Sequence, residues 1–463
     1  MRAQRRLDHY PVMTPLARFV AALAALLAGL ACADSKPNIV FILADDLGWN
    51  AVSFHGGEIR TPNIDRLAAD GARLEAFYAQ PVCTPTRAAL LTGRYPIRYG
   101  LHVGLVRPWS QFGLPLDERT LAQALTDVGY ETAIFGKWHL GHHQRAYLPT
   151  QRGFQHQYGQ YNGAIDYFSH VRDGSLDWHR DDQVNHDPGY STTLIGNEAV
   201  RLIESHDFAT PLFLYLPFSA PHTPLQALPE HLSLYAGIPD VNRRTYAAMV
   251  HAMDEQIGRV VAAIEKRGVT KKTLFIVASD NGAPRYLTGM NGELRGGKGT
   301  LYEGGVRVVA LAKWTGQIAP GTVVDEPLHM VDWYPTLLKL AGASLEQPLA
   351  LDGRDAWATI AQGAPAPHDA ILLNAAPRGG AIRAGSWKLV VARQPRRAGG
   401  GARVELFDLA KDPTEKDDLA ATHPEKVAEL GARLDALTSE AMPRKTSPMP
   451  EGFHPPAVWG EAE

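Results

Sequence analysis

Four short apolar runs constrain most strongly how this chain can fold. They are Asn38 to Ala44, Thr132 to Phe135, Leu212 to Phe218 and Leu274 to Ser279. Each stops at polar residues: Asp45-Asp46, Gly136-Lys137-Trp138-His139, a segment reaching His222, and Asp280-Asn281. Unbroken apolar runs of this length read as strands buried on both faces, because a half-exposed strand alternates in polarity. Helical patterns alternate with them, at Asn63 to Gly71, Thr120 to Gly129, Thr192 to Ser205 and Arg244 to Lys266. The alternation predicts an α/β fold with a mostly parallel sheet flanked by helices. In such sheets ligands bind beyond the carboxyl ends of the strands, so the four polar clusters are expected to converge on one site.

The chain has 463 residues, 45% of them hydrophobic and 21% charged, enough for one large domain or a large and a small one. Past residue 365 the texture changes to strand-like runs, Ala381 to Ala392 and Arg403 to Asp408, separated by the Arg/Gly-rich stretch Arg393 to Ala402. A helical pattern from Pro424 to near Ala441 follows. The expected organisation is an export signal over 1–33, a large α/β domain over 34–365, a small C-terminal α+β subdomain over 366–442 and a loosely ordered Pro-rich tail over 443–463.

The first segment carries Arg2, Arg5, Arg6 and Arg18, then an apolar run from Phe19 to Leu30, then Ala31-Cys32-Ala33, the order of a secretory signal. That run is shorter than the ~20 residues needed to span a bilayer, so cleavage is expected and no stable membrane anchor. Acylation of Cys32 as a lipoprotein is the alternative, weakened by Gly29 where such signals usually carry a large aliphatic residue. No Asn-x-Ser/Thr acceptor occurs, and the mature chain would hold Cys83 alone and no internal disulfide. These features predict a bacterial periplasmic or secreted protein. A net charge of -3 gives no global basic field, so nucleic acid is not an expected partner.

Cys83 stands in Pro-Val-Cys-Thr-Pro-Thr-Arg-Ala-Ala-Leu-Leu-Thr-Gly-Arg, a run that packing alone does not explain. Thr84 and Pro85 read as N-cap and first helical residue, and Gly93 as the terminator. Cys83 would then lie just before a helix N-terminus, where backbone N–H groups favour anions. A lone cysteine is more often a buried structural residue. Arg87 and the helix start argue for a reactive position here.

Cys83-Thr84-Pro85-Thr86-Arg87 followed by Leu90-Leu91-Thr92-Gly93-Arg94 resembles the signature of the sulfatases, in which the cysteine is converted to formylglycine. Gly136-Lys137-Trp138-His139-Leu140-Gly141 resembles the second signature of that family, and the likeness runs from Lys36 to Leu419. Leu294 to Lys298 and Tyr302 to Arg307 look most like the arylsulfatase B (N-acetylgalactosamine-4-sulfatase) branch. The resemblance implies an alkaline-phosphatase-like fold and a formylglycine-generating enzyme as a maturation partner.

By that resemblance Asp45, Asp46, Asp280 and Asn281, together with residue 83, would hold Ca²⁺, with Mg²⁺ the alternative. The four side chains supply only oxygen ligands, as a hard cation requires. Either pair alone would more often be a turn or a helix cap; two pairs at the ends of buried strands are harder to dismiss. The hydrated aldehyde at residue 83 would supply the nucleophile toward sulfur, and His139 would take a proton from its second hydroxyl to expel sulfate. Lys137, Lys298 and His222 would bind the sulfate oxygens, with Lys298 or His222 protonating the leaving oxygen, and Arg87 would steady the hydrate. A lysine or histidine at a strand end is by itself usually just solvated; the match to separate motifs is what lifts these.

Gly292 to Lys298 nearly spells a phosphate-binding loop, but Gly299 follows the lysine where Ser or Thr must ligate Mg²⁺. His139, His142 and His143 do not make a zinc site beside so many carboxylates, and the last two are expected at the rim, facing the substrate, or simply exposed. Thr86 stands where serine is commoner in the family and keeps the hydroxyl; Glu293 stands where the nearest branch often has proline. The loops from Tyr158 to Pro188 are expected to shape the substrate pocket. The function expected is hydrolysis of sulfate esters on sulfated N-acetylgalactosamine or a related glycan, with aryl sulfates as artificial substrates. Its rivals are a phosphonate or phosphate ester hydrolase on the same fold, and a non-catalytic sulfated-glycan-binding protein with Cys83 unmodified.

Overall fold

A ten-stranded sheet carries the chain. In the computed structural model, which describes residues 36–376, 379–393 and 402–461, its strand order is Thr322–Val324, Ala72–Leu74, Ala310–Lys313, Thr273–Ser279, Asn38–Ala44, Leu212–Pro217, Glu131–Phe135, His156–Gly159, His179–Arg180 and Gln183–Val184. The five strands from Thr273–Ser279 to His156–Gly159 run parallel. Antiparallel pairs flank them on both sides, and the edge strand Thr322–Val324 pairs in parallel with Ala72–Leu74. The four apolar runs are thus central strands, each beginning or ending within a residue of its expected limits.

Side-chain alternation explains why these strands read as unbroken apolar runs. Val40, Ile42 and Ala44 enter one core, with Ile195 and Ala199 of the Ser191–Ser205 helix and Val250 and Ile257 of the Val241–Lys266 helix. Ile39, Phe41 and Leu43 enter the other, with Leu90, Leu121, Leu125 and Trp333. With both faces covered, no strand position faces water, and apolar residues are favoured throughout.

A four-stranded antiparallel sheet, Ile371–Ala376, Gly379–Ala384, Trp387–Arg393 and Ala402–Asp408, packs with the Pro424–Thr438 helix through Leu430 and Leu434. The run Ala381 to Ala392 is therefore two strands. Ala384 pairs with Trp387 around a two-residue turn, and Gly385 sits at φ 56°, a conformation glycine enters without penalty.

Residues 443–461 are tied down, contrary to the loose tail the composition suggested. The Met442 and Lys445 N–H groups donate to the Ile97 and Gly100 carbonyls, both at 2.8 Å. Trp459 is 3% exposed, and its N–H and Nε1 reach the Leu176 and Arg172 carbonyls at 3.0 and 2.8 Å. A buried tryptophan anchors a proline-rich segment that has little secondary structure of its own. The expected signal over 1–33, with Cys32, and most of the Arg393 to Ala402 stretch lie outside the described residues. Among the described residues no helix is long and apolar enough to cross a membrane.

Candidate active site

The register of the central strands decides which polar residues meet. Ala44 pairs with Ser279, so Asp45 and Asp280 emerge side by side, and the Asp280 N–H donates to the Ala44 carbonyl at 3.0 Å. Beyond Glu131–Phe135 the chain crosses Leu212–Pro217, where the Lys137 N–H donates to the Pro217 carbonyl at 2.8 Å. A Cβ at Gly136 would stand 2.1 Å from that carbonyl oxygen, so only glycine lets the chain pass and bring Lys137 to the sheet end.

The Cys83–Thr92 helix delivers Cys83 and Arg87 to the same place. Its N-cap is Val82, not Thr84, and Cys83 is the first helical residue rather than the one before it. The reason lies in the hydroxyls. Thr84 Oγ1 accepts the Val106 N–H and donates to the His139 carbonyl, both at 3.3 Å, and Thr86 Oγ1 donates to the Asp280 carbonyl at 2.6 Å. Gly93 ends the helix at φ 67°, as expected.

Arg87 is fully buried; its Nη2 donates to Asp280 Oδ2 at 2.9 Å and lies 3.4 Å from Asp45 Oδ2, while Nη1 donates to the Lys137 carbonyl at 2.9 Å. Lys137 donates to Asp45. Lys298 pairs with Asp46 Oδ1 at 2.7 Å, and His222 Nε2 stands 3.8 Å from Asp46 Oδ2. Asn281 Nδ2 donates to Asp46 Oδ1 at 2.7 Å. Every candidate residue read from the sequence lies in this cluster. Asp46 and His139 adopt φ of 68° and 59°, left-handed conformations that a non-glycine residue keeps only where its surroundings over-determine them.

Burial pushes the Asp45 carboxyl up, but Lys137, His222 and Arg87 together hold it far below the usual carboxylate range. Burial and the adjacent Asp45 charge push Asp280 up to about 7. Burial likewise raises the Cys83 thiol despite Lys137 and Lys298, so the helix start does not yield a thiolate. Burial, Lys137 and Arg87 drive His139 well below its ordinary value, leaving it neutral. Its Nε2 lies 3.1 Å from the Val106 carbonyl, which can only accept, so Nε2 carries the hydrogen and Nδ1 keeps the lone pair.

Asp45 Oδ1 and Asn281 Oδ1 are buried and have no hydrogen-bond partner among the described residues. An unmet buried acceptor costs about 1–3 kcal/mol. Ligand atoms of Asp45, Cys83 and Asp280 lie within 4.8 Å of one another, as do those of Asp45, Asp46 and His222. An oxygen-rich cluster with two unmet acceptors fits a hard divalent cation. A proton on Asp280 would compete with such an ion. Since burial and the Asp45 charge push Asp280 up to about 7, the affinity of this cluster for a hard divalent cation such as Ca²⁺ or Mg²⁺ is expected to weaken as the pH falls below 7 and to level off above it. Calorimetric titration from pH 5 to 8 checks this; a flat affinity from 5 to 7 would contradict it.

Several contributors were not legible in the sequence. Tyr246 Oη donates to the Asp46 carbonyl at 2.8 Å and accepts from the Gly48 N–H at 3.0 Å, which holds the strained Asp46. Tyr167 Oη lies 2.7 and 2.8 Å from the Ser219 and His222 carbonyl oxygens, which share its single hydrogen. A Cβ at Gly163 would stand 2.5 Å from His139 Nε2. The Tyr158 to Pro188 region therefore also supports the site from within, and its Tyr158, Tyr161, Tyr167 and Trp178 are buried. His142 is buried rather than at the rim: its Nε2 donates to the Pro108 carbonyl at 3.0 Å and its ring meets Trp459 edge-on at 5.6 Å. His143 is exposed, as expected.

Residues 37–343 match the Sulfatase family. Arylsulfatase J of Mus musculus is 36% identical, over 92% of this chain and 80% of its own length. Arylsulfatase A of Homo sapiens is 35% identical, over 90% and 92%. N-acetylgalactosamine-6-sulfatase of Mus musculus is 34% identical, over 74% and 69%. The crystal structure of Ps i-CgsB in complex with k-i-k-neocarrahexaose aligns with a TM-score of 0.82 at 32% identity, covering 88% of this chain and 94% of that one. The chain belongs to the sulfatase family. It is a sulfuric ester hydrolase on the mostly parallel, alkaline-phosphatase-like fold, with a small C-terminal antiparallel sheet.

Proposed function

We propose that this chain is a formylglycine-dependent, Ca²⁺-binding sulfatase acting on a sulfated sugar, either sulfated N-acetylgalactosamine or a related glycan unit. The observation that carries the reading is the convergence, around a helix-initial Cys83, of buried carboxylates with unmet oxygens and of Lys137, Lys298 and Arg87. The sugar comes from relatives whose names carry it, N-acetylgalactosamine-6-sulfatase and the neocarrahexaose complex. The basic N-terminal segment with its apolar run supports export to the periplasm or beyond.

Asp45, Asp46, Asp280 and Asn281 would hold the ion. When in place, the ion would neutralise the buried carboxylates and polarise the ester, and an aldehyde hydrate made from Cys83 would supply a nucleophilic hydroxyl. A neutral, buried thiol is a poor substitute for it. Lys137, Lys298 and His222 bind the sulfate oxygens, where charge builds as the ester bond breaks. Arg87, with its Nη atoms fixed on the Lys137 carbonyl and the Asp280 carboxylate, orients residue 83. His139 Nδ1 takes the proton whose loss releases sulfate, and Lys298 or His222 returns one to the departing sugar oxygen.

The rival is phosphoryl chemistry on the same scaffold; the phosphonate monoester hydrolase of Agrobacterium radiobacter, 21% identical with a TM-score of 0.62, shares the fold. The test compares sulfate and phosphate esters of one phenol, then sulfated N-acetylgalactosamine and its oligosaccharides. The sulfate ester is expected to be preferred by at least about 10²-fold, a difference of ~2.7 kcal/mol in transition-state binding. A preference for phosphate would overturn the chemistry; inertness toward every sulfated sugar would overturn the substrate.

A further inference from the structure

Lys298 sits in a loop whose internal bonds are local, Gly297 N–H to Thr300 Oγ1 at 3.1 Å and Gly304 N–H to the Arg295 carbonyl at 2.8 Å, and what fixes the loop against the sheet end lies outside it. Within the loop the Lys298 N–H reaches the Ala283 carbonyl at 3.0 Å and the Gly299 N–H the Pro81 carbonyl at 2.8 Å. Gly296 and Gly299 adopt φ of 82°, so the backbone is tightly coiled but intrinsically pliable.

Both ends of the loop are gripped by the C-terminal subdomain. On the incoming side, Arg295 Nη1 donates to the Glu415 carbonyl at 2.9 Å and Nη2 to Glu405 Oε1 at 3.1 Å. On the outgoing side, Tyr302 Oη donates to Glu405 Oε2 at 2.5 Å and the Glu303 N–H to Glu415 Oε2 at 2.7 Å. The Arg295 guanidinium lies over the Tyr302 ring at 3.9 Å, closing the neck of the loop. Lys388, fully buried, bonds Glu303 Oε1 and Glu415 Oε1, both at 2.8 Å. One carboxylate, Glu405, thus ties the two ends to each other through both its oxygens. A second, Glu415, does the same through its carbonyl and its side chain.

We propose that Glu405, Glu415 and Lys388 are positioning residues for Lys298, so that the small C-terminal sheet is a working part of the sulfate site rather than an appendage. The inference rests on the reading that Lys298 binds sulfate. A clamp of charge-assisted bonds at both ends removes the freedom that a glycine-rich coil would otherwise have, and with it the entropy cost of fixing the lysine against the transferring group.

The test is a double-mutant cycle on kcat/KM for an aryl sulfate with a good leaving group. Glu405→Ala is expected to lower kcat/KM about tenfold in the otherwise natural chain and by less than about twofold when Lys298→Ala is already present. Tyr302→Phe, which keeps the ring beneath Arg295 and removes only the hydroxyl, is expected to lower it about threefold with the same non-additivity, and covers the case in which Glu405→Ala fails to fold. Glu405→Gln, still able to accept from Arg295, is expected to recover most of the loss. Equal losses with and without Lys298, or no loss from Glu405→Ala and Tyr302→Phe, would overturn the positioning role. If Lys298→Ala alone leaves kcat/KM unchanged, the sulfate-binding role of Lys298 falls, an outcome distinct from either of these.

Discussion

Replacing Cys83 by alanine is expected to lower turnover of every sulfate ester by at least about 10⁴-fold, the scale of loss when a nucleophile with no substitute is removed. The fold is expected to survive. The change removes a single sulfur from a position 2% exposed, a cost of about 1 kcal/mol. The helix start stays pinned without it, by Thr86 Oγ1 on the Asp280 carbonyl at 2.6 Å and Arg87 Nη2 on the Asp280 carboxylate at 2.9 Å. Turnover of an aryl sulfate beside a circular-dichroism melt separates the two effects. Wild-type turnover in this variant would remove residue 83 from the chemistry.

Asp45→Ala is expected to damage both activity and stability. Asp45 is fully buried, accepts from Lys137 and lies 3.4 Å from Arg87 Nη2. Removing it strands the buried Lys137 ammonium, and a broken buried pair costs roughly 3–5 kcal/mol. The sign follows from the direction of its shift. Asp45 titrates below its unfolded value, so its contribution is fully present above pH ~4 and is lost as the pH falls through the folded value. The same change takes away a proposed ion ligand, and turnover is expected to drop on the order of 10³-fold, several kcal/mol of electrostatic stabilisation. Denaturant unfolding of both proteins with added Ca²⁺ and with chelator is the measurement. The natural chain is expected to gain stability from Ca²⁺ and the variant to gain little; an equal gain in both would remove Asp45 from the ion site.

Residues far apart in sequence could be assigned to one site because a parallel sheet does the assembling. Asp46 and Asp280 are 234 positions apart, yet the strands before them are neighbours in register, and the Asp46 N–H donates to Asp280 Oδ1 at 3.1 Å. Buried strands and amphipathic helices announce themselves through composition, so their limits were readable to within a few residues. The supports around the site announce nothing. Tyr246 lies in the second turn of the Val241–Lys266 helix and looks like one more core aromatic, but its hydroxyl holds the Asp46 backbone from 200 positions away. Lys388 lies in a strand whose sequence says only that it is amphipathic, and its burial between Glu303 and Glu415 depends on how the two sheets pack. Thr84 has the chemistry of an N-cap, but its oxygen accepts the Val106 N–H at 3.3 Å, a partner 22 positions on that the local sequence does not announce. Phe453 and Trp459 are aromatic anchors within the tail, and the surrounding prolines masked them.

The most direct measurement is mass spectrometry of the tryptic peptide Leu74 to Arg87 from protein made in its native host. Residue 83 is expected to appear there as the aldehyde, formylglycine, trappable by a hydrazine reagent. An intact cysteine thiol throughout a preparation that hydrolyses sulfate esters would contradict a formylglycine nucleophile.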